Sequence, residues 1–381
     1  MSQHISPYYF KWDDSYPETL LDPADKCPIE NNMITAPPSL LLMMQPLASW
    51  KYRDIVFFWA MVQYVFFLLT FIGFYYRFRS DHARINISIA GIVLLFSAQW
   101  IQSVFKGQTH FIFPAILSIT IALITAAKGY RILIAGILLA VLVWIRPNAL
   151  LVLPFLFLTN SPGRKTLFYG FVTGGTFFLL LTFLLNHGHY WRDFLRSCND
   201  WLSYFISQQD IQPCRHYAIV EGVHVQATGT LPFHWKSEVT NVFNTLRRIT
   251  GIQVNQLLVN ITLGFLYMMV LYKWFRAKAV DFEDAIMSGV FCYWLYEICN
   301  PIPKMSYYYV ELFIVVYYMA AKFNESSKFV KLLLMLSAVW LFLDFLPVNL
   351  STSEMLLMAS LILFLINKSR RNRQQFQSDL L

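Results

Sequence analysis

Lys106-Gly107-Gln108-Thr109-His110 and Arg146-Pro147-Asn148 place two cations, an imidazole and two side-chain amides at the ends of one stretch. Between them lie two apolar runs, Phe111–Ala127 and Ile132–Ile145, divided at Lys128 and Arg131. If both runs cross a bilayer, the hairpin returns Lys106, Gln108, His110, Arg146 and Asn148 to one face. Lysine offers a point charge and arginine a planar fork, both suited to a phosphate. Gln, His and Asn add donors and acceptors for phosphate or hydroxyl oxygens. A single basic residue at a helix end commonly just snorkels to the headgroups. The grouping is what points to a bound anion, and Asn300 and Lys304 join it on the same face.

Acids form a second set. Asp13 and Asp14, between Trp12 and Tyr16, are carboxylates able to take a proton from a sugar hydroxyl, with aromatic rings beside them to stack on a sugar. The plainer role for acids in a polar tail is to solvate it. Glu297, Glu311 and Asp344 lie in or near apolar runs, where acids are functional candidates by default. Glu297 is placed to pair with Lys304, Asp344 sits by Pro347 near a surface, and Glu311 reads as buried. No phosphate-binding glycine loop, zinc spacing or Ser-His-Asp order is present, so neither metal, cofactor nor nucleotide-sugar donor has an evident place.

The elements that must hold these groups follow from composition. The 381 residues are 57% hydrophobic and 14% charged, and the mean hydropathy is +0.47. A soluble domain carries roughly 25% charged residues. The apolar runs approach the ~20 residues that cross a bilayer as a helix. They lack the alternation of barrel strands. The expected fold is therefore all-α, a polytopic membrane bundle of about eleven spans: roughly 55–76, 86–104, 111–127, 132–145, 149–159, 167–186, 257–274, 285–300, 306–321, 330–346 and 354–367.

The net charge of +8 does not point to nucleic acid, because 17 of the 30 Lys and Arg fall in short loops on one side and in the tail. These include Arg77, Arg79 and Arg84; Lys128 and Arg131; Lys322, Lys328 and Lys331; and Lys368 to Arg373. By the positive-inside bias that side is cytoplasmic. The chain then divides into an extracytoplasmic segment (1–53), a first bundle (54–186), a long extracytoplasmic loop (187–256), a second bundle (257–367) and a cytoplasmic tail (368–381). Within the loop, Val239, Val242, Phe243, Leu246 and Ile249 are spaced for an amphipathic surface helix. Cys198 and Cys214 share the loop, where a disulfide is permitted. Cys292 and Cys299 read as packing residues.

Several short motifs, in order, resemble glycosyltransferase family 87, whose members include polyprenyl-phosphate-mannose-dependent mannosyltransferases and arabinofuranosyltransferases of the GT-C class. They are Ala36-Pro37-Pro38 with Leu40-Leu41-Leu42 and Pro46-Leu47; Gly107-Gln108; Ala135 to Leu139; Arg146-Pro147; Asn241 to Gly251; and Asn300-Pro301-Ile302. The resemblance covers about residues 12–325. Two departures stand out. The family's first helix and the acidic motif after it are not recognisable: either the N-terminal tail crosses behind the first span, or, the favoured expectation, the natural protein begins with a helix this chain lacks. Where the family has Trp and His, the chain reads Met305-Ser306-Tyr307-Tyr308-Tyr309.

The resemblance implies transfer of a mannose-like or pentose sugar from a polyprenyl-phosphate donor to a glycan or lipid acceptor, by metal-independent inverting displacement, outside a bacterial inner membrane. It implies that Lys106, Arg146 and Lys304 meet the donor phosphate. Gln108, His110, Asn148 and Asn300 meet the substrate, and Asp13 or Asp14 is the base. The competing expectation is a transporter or flippase for a lipid-linked or anionic solute, which shares the cationic mouth and uses Glu311.

Overall fold

The computed structural model describes residues 37–47, 49–105, 107–125, 129–158, 163–184, 188–207, 255–276, 281–300, 306–342 and 349–378. All regular structure among them is helical. The helices are α1 (Pro38–Met44), α2 (Tyr52–Arg77), α3 (Asp81–Leu95), α4 (Ala98–Phe105), α5 (Ile112–Thr125), α6 (Gly129–Ile145), α7 (Leu153–Leu158), α8 (Arg164–Leu184), α9 (Gly188–Ser207), α10 (Gln256–Arg276), α11 (Phe282–Ile298), α12 (Phe313–Ala321), α13 (Lys328–Phe342) and α14 (Asn349–Ser378). Tight 3₁₀ turns at Pro147–Leu151 and Ser306–Leu312 precede α7 and α12.

Each apolar run read in the sequence overlaps helical structure. Among the described residues, two helices are long and apolar enough to cross a membrane: Arg53–Arg77, 25 residues with mean hydropathy 2.2, and Gln256–Phe275, 20 residues with mean hydropathy 1.5. α3 and α4 make a third span if their pair, bent by 54°, is one crossing. Such helices mark a membrane protein. α5 has 14 residues and α6 has 17, below the ~20 of an upright crossing.

The breaks have local causes. Ser97 sits at the bend, donating its hydroxyl to Leu94 O and accepting from the Trp100 N–H that opens α4. α4 ends in a Schellman motif: Gln108 N–H donates to Ser103 O at 3.0 Å and Gly107 N–H to Val104 O at 3.2 Å. Gly107 takes φ 61°, the left-handed conformation that motif needs. Trp59 clips the turn through Nε1 to Gly107 O at 2.8 Å. At the end of α6, Pro147 cannot continue the helix and pushes Arg146 to φ −135°, ψ 84°.

The chain divides into two compact units. One comprises Met1–Ala48 with Phe178–Lys236; its described elements are α1, the end of α8, and α9. There Tyr190 and Phe194 of α9 pack with Leu41, Trp191 and Cys198. The Cys198 thiol is free, and burial pushes it up to about 11. By sequence, 187–256 reads as loop except near its end, so α9 is an addition. The 239–249 helix and Cys214 lie outside the described residues.

The other unit, Ser49–Phe177 with Ser237–Leu381, holds helices from both of the expected bundles. α2 packs on α5 and α5 on α6; α3 packs on α12, α4 on the 306–312 turn, and α7 on α11. Loops expected on one side of a membrane meet at one end of it. Arg77 pairs with Glu283, Lys368 with Asp281 at 2.5 Å and Asp284 at 2.6 Å, and Lys322 lies over the Phe78 ring. The Lys368 hydrogen bond holds the Asp281 carboxyl below its usual range, despite partial burial.

Candidate functional site

The opposite end of α11 carries a second polar group of residues. α11 and its 1.5 Å rise per residue put Asp284 and Glu297 roughly 20 Å apart. Tyr293 and Glu297, four positions apart, share a face of that helix. Tyr308 and Glu311, three positions apart in a 3₁₀ turn, stack on one face for the same reason at a tighter period.

These faces converge on the mouth of the α5–α6 hairpin. His110 Nδ1 lies 2.6 Å from Glu311 Oε1, and its ring centroid is 4.0 Å from that of Tyr308. Arg146 Nη1 pairs with Glu311 Oε1 at 3.1 Å, and Arg146 Nη2 lies 2.5 Å from His110 Nδ1. The Tyr293 hydroxyl donates to Glu311 Oε2 at 2.6 Å. Alongside, Asn148 Nδ2 donates to Glu297 Oε1 at 2.6 Å. The side chains of His110 and Glu311 are 4% and 2% exposed, whereas that of Arg146 is 20% exposed. Of these three, Arg146 is the most open, and Asn148 beside it is exposed.

A buried acid costs several kcal/mol unless donors surround it. Glu311 meets that requirement with Arg146, His110 and Tyr293 together. The arrangement can hold an anion at the guanidinium, because arginine carries five N–H groups in a fixed fork. It can also hold and move a proton along the His110–Glu311 contact. The described residues contain no cluster of three His, Cys, Asp or Glu able to bind a metal ion.

Of the residues expected at the site, His110 and Arg146 come together, and Asn148 lies beside them on Glu297. Asn300 closes the end of α11 through its N–H to Glu297 O at 3.3 Å. Gln108 sits in the turn that delivers His110. Asp13, Asp14, Lys106 and Lys304 lie outside the described residues, as does Asp344. Glu297, expected opposite Lys304, receives the Asn148 amide. The sequence places Glu311 inside the bundle without partners, marks Tyr308 only as part of a departure from the family pattern, and does not single out Tyr293. Their four- and three-residue spacings to Glu297 and Glu311 are the available signal.

No protein-family model matches this chain, and no curated protein matches it either.

Proposed function

We propose that the chain is a membrane glycosyltransferase of the GT-C kind. It moves a mannose-like or pentose sugar from a polyprenyl-phosphate donor to a glycan or lipid acceptor at the extracytoplasmic face of a bacterial inner membrane, with about eleven crossings. The observation that carries this reading is the convergence of Arg146 and His110 at the hairpin mouth, with the arginine partly open and its counter-ion Glu311 buried. A buried counter-ion aims the guanidinium while leaving it able to receive a phosphate. The ordered motifs of the sequence supply the donor class.

In this reading the acceptor hydroxyl attacks the anomeric carbon from the face opposite the phosphate, and the carbon–oxygen bond to phosphate breaks. Arg146, with Lys106 and Lys304, neutralises the departing polyprenyl phosphate, a stabilisation that grows as charge develops. Asn148, Gln108 and Asn300 orient sugar and phosphate oxygens. The reading invokes no metal ion or cofactor.

The test is transfer of labelled mannose from polyprenyl-phosphate-mannose by purified protein in lipid. Arg146→Ala combined with Lys106→Ala should abolish it. Full transfer by that double variant removes the phosphate assignment, and activity only with a nucleotide sugar removes the whole reading. One observation favours a second reading, a carrier for a lipid-linked or anionic solute: a buried Glu311 touching His110 is a pair suited to proton coupling. Solute exchange across vesicles without any sugar transfer would select it.

A further inference from the structure

We propose that Arg131, Arg164 and Lys165 form a docking site for the phosphate of an anionic phospholipid, whose acyl chain lies against an apolar notch beside them. The surface is at the opposite end of α6 from Arg146, fifteen residues or roughly 22 Å away. No step of the glycosyl transfer proposed above needs it, and it stands without that reading.

α6 and α8 run side by side in the same direction. A Cβ on Gly136 would meet Leu167 O at 2.2 Å, and one on Gly174 would meet the Ala140 Cβ at 2.9 Å, so the two helices climb in register. Their first turns are therefore neighbours, and a Cβ on Gly163 would stand 2.6 Å from Ile132 Cδ1. That contact gathers Arg131 of α6 with Arg164 and Lys165 of α8. Arg164 and Lys165 are exposed, and Arg131 is half-buried, its Nε donating to the Tyr130 hydroxyl at 3.2 Å. By sequence Lys128 adds a fourth cation just before α6.

These cations lack the counter-charges that their neighbours have. No acid stands between Asp81 and Asp193, so α5, α6, α7 and α8 bring none to this surface. At the same end Glu283 pairs with Arg77, Asp281 and Asp284 with Lys368, and Glu325 with Lys322. The acids that flank Phe282 at the start of α11 are thus already engaged. An uncompensated basic patch attracts a leaflet of acidic lipid, each Lys or Arg adding to the pull. Arginine forks and a lysine point charge suit a phosphate. Ile124, Ile132, Leu156, Leu167 and Phe282 line a shallow apolar notch together with Arg164. The notch encloses nothing, so a chain lies along it. Tyr130 and Tyr169 stand nearby at 59% and 63% exposure, amphipathic rings of the kind that settle at headgroup level. A free phosphate ion would use the cations alone, whereas a lipid uses both cations and notch. The general bias of cations toward one side of a membrane accounts for their number, not for their gathering without acids around an apolar notch.

The experiment uses the full chain in nanodiscs of equal phosphatidylglycerol and phosphatidylcholine, with retained lipid counted by native mass spectrometry. The wild type should retain phosphatidylglycerol in preference. Arg131→Gln with Arg164→Gln and Lys165→Gln should weaken that retention on the order of 100-fold. Arg79→Gln with Lys328→Gln, two exposed cations of the same end outside the patch, should leave it unchanged. Phosphatidylglycerol carrying a diazirine in its acyl chain should, on photolysis, label 124–132 and 156–169 of the wild type, a readout that needs no variant to fold. Inorganic phosphate at the lipid's concentration should displace none of it. Equal retention of the two lipids, full retention by the triple variant, equal loss in the two-cation control, or labelling confined to other helices overturns the assignment. Displacement by inorganic phosphate makes this an ion site and overturns the lipid.

Discussion

Arg146 and Glu311 meet at 3.1 Å with the carboxylate at 2% exposure and the guanidinium at 20%. The acid is therefore the member that depends on the pair. Glu311→Ala removes the counter-ion of Arg146 and the acceptor of the Tyr293 hydroxyl. Removing one side of a buried pair costs roughly 3–5 kcal/mol. Thermal unfolding in detergent should show that loss, and adding Arg146→Met should recover part of it. Equal stability of the single and double variants would mean that the pair carries little coupling.

Close helix approach predicts a sharp contrast between two glycines of the same kind. A Cβ on Gly136 of α6 would stand 2.2 Å from Leu167 O and 2.7 Å from Phe171 N of α8. The reciprocal position, Gly170, would meet Leu133 O at 2.2 Å. Backbone on both sides cannot swing aside, so Gly136→Ala must force the helices apart and lower the melting temperature. At Gly175 of α8 an added Cβ would meet no described neighbour within 4 Å. There Gly175→Ala gains helix propensity of about 1 kcal/mol and should be neutral or stabilising.

Gln99 offers the opposite outcome. It is fully buried on α4, and neither its amide nitrogen nor its oxygen has a hydrogen-bond partner among the described residues. A buried polar group left unpaired costs about 1–3 kcal/mol. Gln99→Met keeps the length and removes the unmet groups, so it should raise the melting temperature. A fall would show that the amide is satisfied in the membrane-embedded protein.

Acid titration should reveal the opposite end of α11. Lys368 holds Asp281 ionised below the usual carboxylate range, so its contribution is present above the unfolded-state value near pH 4. It is lost as pH falls through the lower folded value. Asp281 is 63% exposed, so the effect is modest. Melting temperature against pH should lose part of its acid slope in Asp281→Asn and keep its form above pH 5.

The hairpin mouth was legible because length and charge speak locally. Two apolar runs joined at Lys128 and Arg131 return their ends together, and the structure joins His110 to Arg146. Glu311 was not legible as their partner, since 201 positions separate it from His110 and every apolar run is a candidate neighbour. Tyr293 and Tyr308 look like ordinary packing aromatics until a carboxylate and a ring are found against them. α9 escaped notice because Arg192, Asp193, Arg196 and Asp200 dilute a run whose apolar face, Tyr190, Phe194 and Cys198, recurs every four residues. Hydropathy averaged over a window erases that alternation of faces. The bend at Ser97 was missed for a different reason: serine inside an apolar run carries no signal of which backbone groups it will satisfy.

α14 is fastened at two depths to the same neighbour. Near its start Trp294 Nε1 donates to Glu354 at 3.2 Å, and further along Lys368 grips Asp281 and Asp284. The fourteen steps from Glu354 to Lys368 rise about 21 Å, against about 15 Å from Asp284 to Trp294 and about 20 Å from Asp281 to Trp294. Neither helix can slide by one turn without losing both attachments at once. The pair therefore behaves as a fixed ruler, and any rearrangement of the bundle must be taken up by its other helices.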